Sequence, residues 1–416
     1  MKIKSYVEAC RNHGRERSIL RSRNLVATDD LSCPPITVTN VISRLCRATL
    51  LRGRRTSFSS VLSLLLAAAF LLPSPTLMAQ SAEDESRDDR QHVEKIKDRD
   101  EVDKAIEKGI RWLVSKQDPT EGYFKGKMKN TYTALSCIAL MAAGHLPGHS
   151  EFGDNLRRGI LYLVKASEDE NGYFGKEGQA RMYGHGMCTL ALLEAYGMMQ
   201  TETENMKVKG VAEAAIKVIL RAQNNEKRKR NHFGGWRYKP KSNDADLSLT
   251  VWQILPLRSA ENCQLDLPGE AVSNAITYVE NTYNSKAGGF AYQPGKKPSI
   301  SMRCAGVVSL LALGAANEDK NTERIEKSAR FLLDFDPAQG GKWFYYQSYY
   351  VATAANMAGK KYREAVLPRM EKHLLSLQKE DGSFEKFKGY DGGVYSTAFS
   401  VICLAVRYQY LPIYQE

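Results

Sequence analysis

Two carboxylates one residue apart, Asp244 and Asp246 in the string Asp244-Ala245-Asp246-Leu247, are the first residues whose type and spacing could do chemistry. They stand just before or at the start of an apolar, helix-patterned stretch, where a carboxylate stabilises exposed backbone amides. An acid in that place can cap the helix, bind a ligand or, if kept protonated and away from water, donate a proton. His185, between Gly184 and Gly186 at the start of another such stretch, is the second candidate. Its role is open between general base, metal ligand and satisfied core histidine. Tyrosines crowd the equivalent positions: Tyr132, Tyr183, Tyr345, Tyr346, Tyr349, Tyr350 and Tyr395. Each offers an apolar face and a hydroxyl, which suits an isoprenoid or a sugar ring, and equally suits a packed core. Ser248 lies close to Asp246, and Arg303 and Asp391 are the charged residues expected to reach the same interior. Asp246, Asp244 and His185 are thus the expected chemical groups, with Tyr132, Tyr183, Ser248, Arg303, Tyr349, Asp391 and Tyr395 around them. Such a set contains the paired carboxylates, or the Tyr or His base, that glycan cleavage needs.

The elements that must position these residues come from a repeat. Six turns carry glycine, most followed by an aromatic residue: Gly122-Tyr123-Phe124, Gly172-Tyr173-Phe174, Gly234-Gly235-Trp236, Gly288-Gly289-Phe290, Gly340-Gly341-Lys342-Trp343 and Gly382-Ser383-Phe384. Their spacing of roughly 40–65 residues falls in the range of helical-hairpin repeats. Before each turn runs an amphipathic helical pattern, over about 101–117, 154–166, 208–223, 270–283, 323–335 and 363–378. After each turn runs a more apolar one rich in Ala, Gly and Ser, over about 130–143, 183–199, 245–260, 301–315, 345–358 and 393–407. Polar-faced helices outside and apolar helices inside make two concentric layers around a central cavity. Each unit buries its face on its neighbours, which lets one domain extend over 101–416.

Ahead of the repeats, residues 1–79 read as a leader. The apolar run 58–72 follows Arg52, Arg54 and Arg55 and precedes Pro73, Pro75 and Ala79, the order of a secretory signal spanning about 50–79. The expected product is secreted or periplasmic. An uncleaved anchor through 58–72 is the alternative, and membrane contact is expected only in that case. Residues 80–100 are a charged linker. The leader holds 12 of the 59 Lys and Arg but 4 of the 47 Asp and Glu, so the net charge of +12 belongs mostly to it. No nucleic-acid partner is inferred from it. The local run Lys227-Arg228-Lys229-Arg230 reads as a surface loop or a seat for an anionic ligand at the cavity mouth. Five cysteines follow the leader, at 137, 188, 263, 304 and 403, without a CxxC pair. No metal-ligand spacing, Walker sequence, dinucleotide fingerprint or nucleophile elbow occurs, so neither a cofactor nor a metal is expected.

The repeat resembles that of the terpene cyclase and protein prenyltransferase superfamily. Gln378-Lys379-Glu380-Asp381-Gly382-Ser383-Phe384 is similar to the Gln, three residues, Gly, one residue, Trp motif of squalene-hopene and oxidosqualene cyclases, with Phe for Trp. Gln117 to Phe124 is one residue longer, and Gln223 to Trp236 carries an insertion. Gly234-Gly235-Trp236-Arg237-Tyr238 with Asp246 to Gln253, and Tyr183-Gly184-His185-Gly186, look like a group of exported toroid proteins common in planctomycete genomes. The resemblance covers roughly 101–410 and implies an all-α (α/α)6 barrel, or toroid, with its cavity at the end where the inner helices begin. It also implies an Asp-x-Asp-Asp acid for alkene protonation, but Leu247 replaces the last acid. The Asp-x-Cys zinc pair of the prenyltransferases would fall at Arg303-Cys304, where Ser301-Met302 supplies no Asp.

Three functions are therefore open: an exported module binding an apolar, peptide or glycan ligand; an isoprenoid cyclase-like enzyme with Asp246 as acid; and a glycan lyase or hydrolase. Burial of Asp244, Asp246 and His185 discriminates among them.

Overall fold

The computed structural model describes residues 99–414, apart from 169–170, 177–180, 342 and 386–392. The leader, almost all of the charged linker and Asp391 lie outside the described residues. From residue 101 the sequence forms twelve long helices. The outer ones are α1 (Glu101–Ser115), α3 (Gly153–Glu168), α5 (Glu202–Gln223), α7 (Gly269–Asn281), α9 (Asp319–Arg330) and α11 (Lys360–Leu377). The inner ones are α2 (Lys129–Ala142), α4 (Arg181–Ala195), α6 (Leu247–Asn262), α8 (Ile300–Ala312), α10 (Phe344–Met357) and α12 (Val394–Ala405). Caps set several starts. Asp100 and Asp103 exchange side-chain and backbone bonds across the first turn of α1, and Thr201 accepts the Glu204 amide, which starts α5 earlier than its apolar pattern suggests. A two-stranded hairpin, β1 (Tyr283–Asn284) and β2 (Gly289–Phe290), forms the turn of the fourth unit. The sequence pattern does not show it.

Each inner helix packs on the next, α2 on α4, α4 on α6, α6 on α8, α8 on α10, α10 on α12, and α12 back on α2. The ring is closed. The protein is the all-α toroid of two concentric helix layers that its repeat implies. No helix among the described residues is long and apolar enough to cross a membrane. The five cysteines of the ring are unbridged.

The repeat motif performs the closure. The Gln378 side-chain amide donates to the Gly382 carbonyl of its own turn and to the Ala105 carbonyl of α1. Gln223 does the same to Gly234 and to Ala271 of α7, and Gln117 to Gly122 and Asn155 of α3. One side chain thus ties each of these three turns to the next outer helix. At two of these turns glycine is needed for both conformation and space. Gly234 has φ +85° and Gly382 φ +87°. A Cβ would stand 2.0 Å from the Asn274 carbonyl oxygen in the first case and 2.3 Å from that of Lys108 in the second. Gly234→Ala is expected to destabilise the ring by more than about 2 kcal/mol, since the left-handed backbone alone costs roughly 1–2 kcal/mol and α7 must also move. Urea denaturation checks this, and an unchanged midpoint would refute the close-approach argument.

The turn aromatics Phe124, Phe174, Trp236, Phe290 and Phe384 are buried, whereas Trp343 of the fifth turn is 47% exposed. In four of the buried cases the amide is fixed by an inner-helix side chain. Thr133 accepts from the Phe124 amide, Thr250 from Trp236, and Thr397 from Phe384. In the second unit His185 holds this position and accepts from the Phe174 amide.

The ring axis is filled rather than open. Trp252 of α6 stacks on Tyr349 of α10 with centroids 5.2 Å apart, and Tyr350 and Phe399 complete the cluster. All four are at most 1% exposed. Above them, towards the inner-helix N-termini, Tyr346 and Tyr183 are only partly buried. Both stand in the first turn of their helices, at the end of the ring termed the mouth.

Candidate active site

The connection from α5 to α6 delivers the chemical groups of the mouth. Asp246 is the N-cap of α6, and its side chain is fully buried. Its Oδ1 accepts from the Leu249 amide at 2.9 Å and from Ser248 Oγ at 2.6 Å. Its Oδ2 accepts from the Tyr292 hydroxyl at 3.0 Å and from the Arg237 guanidinium. All four contacts are donors, the arrangement an ionised carboxylate fits. Burial pushes the Asp246 carboxyl up from its ordinary range, while Ser248, Leu249 and Arg237 oppose the rise.

Arg237 joins the network from the other side. Its Nη1 also donates to the Tyr292 oxygen at 2.6 Å, its Nε lies 3.2 Å from Asp244, and its ring neighbours are Tyr238 and Tyr292. Asp244 is 42% exposed and forms the outer edge of the group. The two acids of the sequence motif therefore differ: one is buried and saturated with donors, the other half-exposed on the same guanidinium.

From Asp246 a second path leads into the mouth. Ser248 gives its only proton to Asp246, so the 2.6 Å contact between Ser248 Oγ and the Tyr183 hydroxyl has tyrosine as the donor. Tyr346 donates to the Ser248 carbonyl at 3.0 Å. Burial holds the hydroxyls of Tyr183 and Tyr346 well above the usual phenol range, so neither ionises alone.

The remaining expected site residues lie elsewhere. His185 is fully buried, with Nδ1 taking the Phe174 amide and Nε2 facing the Ala215 carbonyl at 3.1 Å. Burial lowers its pKa to about 4. Both ring nitrogens are committed to backbone, a structural role that leaves none for substrate. Arg303 turns to the hairpin, donates to the Ala287 and Gly288 carbonyls and lies 3.6 Å above the Phe331 ring. Tyr349 belongs to the axial cluster and Tyr132 packs beneath Gly126. Tyr395, 8% exposed, stands edge-on to Phe399. Among the described residues no group of three His, Cys, Asp or Glu could hold a metal ion.

Arg237 and Tyr292 were not among the expected site residues. A signal for them exists in the turns. Trp236-Arg237-Tyr238 and Phe290-Ala291-Tyr292 both place Tyr two residues after the buried aromatic, and Arg237 shares one short connection with two acids. A depression of about 380 Å3 between α11 and the 3-10 turn Pro337–Gln339, lined by Phe335, Arg369, Lys372 and His373, shares no residue with the mouth.

The model of the prenyltransferase alpha-alpha toroid domain family matches residues 93–227, 238–344 and 343–413. This chain belongs to that family. Among solved structures, the toroid is similar to the GH76A alpha-1,6-mannanase from Salegentibacter sp. HEL1_6, with 11% identity, a TM-score of 0.55, and coverage of 74% of this chain and 100% of that one. A variant of the type II terpene cyclase MstE from Scytonema, in its apo form, matches with 14% identity, a TM-score of 0.50, and coverage of 73% and 96%. At these identities the likeness is one of fold, shared by glycoside hydrolases and terpene cyclases. Comparison with curated proteins finds no match.

Proposed function

We propose that this toroid is a polysaccharide-cleaving enzyme whose reaction begins with proton abstraction at Tyr183, the chemistry of a glycan lyase. The observation that carries this reading is the hydrogen-bond order Tyr183 to Ser248 to Asp246, beside Arg237. The Tyr183 oxygen takes a proton from the sugar carbon next to a carboxylate. Its own proton passes to Ser248 Oγ, and the Ser248 proton passes to the Asp246 carboxylate. Because the transfers are concerted, no free phenolate forms, in keeping with the raised Tyr183 hydroxyl. The electron pair left on the sugar forms the double bond and expels the neighbouring glycosidic oxygen, which recovers the proton by the reverse path. Arg237, whose Nη2 makes no hydrogen bond among the described residues, would offset charge developing on the substrate carboxylate.

Two features favour this over isoprenoid cyclisation. The axis that would hold a long apolar chain is filled by Trp252, Tyr349, Tyr350 and Phe399. Asp246 is surrounded by donors, whereas an alkene-protonating acid must itself hold the proton. The GH76A neighbour, by its description an alpha-1,6-mannanase, shows the fold supporting glycan cleavage.

The full chain incubated with polyuronates should give a product absorbing in the ultraviolet as an unsaturated uronate. Tyr183→Phe should lower kcat by about 10²- to 10⁴-fold, the usual weight of a general base, with unchanged thermal stability. New reducing ends without the chromophore would replace elimination by hydrolysis, and a fully active phenylalanine variant would remove Tyr183 from the mechanism.

A further inference from the structure

The connection between α5 and α6 carries a charge that this chemistry does not use. Seven of the nine charged residues in 224–244 are basic. Beyond residue 79 the chain holds 47 basic and 43 acidic residues, so this connection accounts for the whole positive excess of that part. Arg228, Lys229, Arg230, Lys239 and Lys241 are exposed, and none pairs with a carboxylate among the described residues. The acids within 224–244 are the exposed Glu226 and the half-exposed Asp244, the latter held by Arg237.

The cations stand on a braced frame. Asn225 Nδ2 donates to the Ser242 carbonyl at 2.8 Å, and the Arg228 amide to the Asn243 carbonyl at 2.9 Å. The part-buried Lys227 ammonium clamps the Ala222 and Ser242 carbonyls at 3.2 and 3.3 Å. The Ala245 amide closes the loop onto His232 Nδ1 at 2.9 Å. Such bracing fixes the backbone that carries these like charges, and it joins them in one short segment to Arg237 and Asp246.

We propose that this loop is a binding surface for an anionic polysaccharide, one bearing uronate or sulfate groups, and that it presents the polymer to the mouth. The identity of the polymer rests on the glycan reading above; the binding of a polyanion at these residues does not. The attraction is between many exposed cations and a polyanion, so affinity should fall steeply with salt.

The test is titration of the full chain with polygalacturonate, dextran sulfate, unmodified dextran and single-stranded DNA at two salt concentrations. It is repeated on Arg228→Gln/Lys229→Gln/Arg230→Gln, whose exposed positions should leave the circular dichroism spectrum unchanged. Binding of one or both anionic glycans without dextran is expected. Polygalacturonate and dextran sulfate separate carboxylate from sulfate recognition. The triple variant should bind roughly tenfold or more weakly, with a salt slope reduced by about three. Equal binding of dextran, or an unweakened triple variant, overturns the proposal. Preference for DNA over both anionic glycans overturns it in favour of a nucleic-acid surface. Tyr183→Phe separates the two readings, because it should keep the binding while losing turnover. Binding with no cleavage of any polymer would sink the enzymatic reading and leave the surface standing.

Discussion

Asp246→Ala is expected to destabilise the toroid by about 3 kcal/mol, near the lower end for breaking a buried ion pair by removing one partner. The lower end applies because the Arg237 side chain is 22% exposed and can be partly rehydrated. The loss does not measure a net gain from the pair, since burying Asp246 is itself costly and pushes its carboxyl up. It measures what is left behind: an arginine, the Ser248 and Tyr292 hydroxyls and the Leu249 amide, all without their acceptor. Asp246→Asn is the companion variant. It keeps the shape but turns one oxygen into a donor facing other donors, and it removes the final proton acceptor of the proposed path. Turnover should fall about 10²- to 10⁴-fold. Wild-type activity should be lost as pH falls through the Asp246 pKa, which burial raises. Denaturation curves and a pH–rate profile read these effects separately. If the alanine variant is as stable as wild type, the four-donor network is not what holds the mouth.

Glu194→Gln should change the pH dependence of stability by a similar amount and leave the mouth untouched. Glu194 lies on α4 and is 5% exposed. Its Oε1 accepts from Ser259 Oγ at 2.5 Å, while Oε2 has no hydrogen-bond partner among the described residues. Burial raises its pKa from 4.5 to about 7, against the opposing influence of the Ser259 hydroxyl and the nearby Ile413 backbone. A folded state that binds the proton more tightly than the unfolded one is favoured at low pH. That contribution is complete below about pH 4.5, declines through the interval and is gone above about pH 7. The difference corresponds to about 3 kcal/mol. Glutamine stays neutral throughout, so the variant should gain about 3 kcal/mol on wild type between pH 4.5 and pH 8. Urea denaturation of both proteins at those two values isolates Glu194, because every other titration is common to them. A gap between the two proteins that does not change with pH would show that Glu194 ionises normally.

Much of the fold was legible because its causes are local. Helical periodicity, the alternation of amphipathic and apolar stretches, and glycine at each turn set the order of all twelve helices. The observed ends differ from the sequence pattern by a few residues, where caps such as Thr201 act. The glutamine of the repeat motif was readable too, although its partners on the next outer helix were not.

The site was legible only in part. The sequence placed Asp246 at a helix start with Ser248 close by, and Tyr183 at the start of another inner helix, since capping and helix position are written within a few residues. It could not assign His185 to the backbone of the Gly172–Phe174 turn and of α5, or Tyr349 to the axis rather than the mouth. Nor could it bring Arg237, Tyr292 and Asp246 together across two repeats. By itself, then, the sequence determined a closed ring of helical hairpins and which ends of its inner helices carry polar groups. Tertiary structure alone decided which of those groups meet. Their distances depend on the rotation of each inner helix and on how closely neighbouring repeats approach, and both are set by packing around the whole ring.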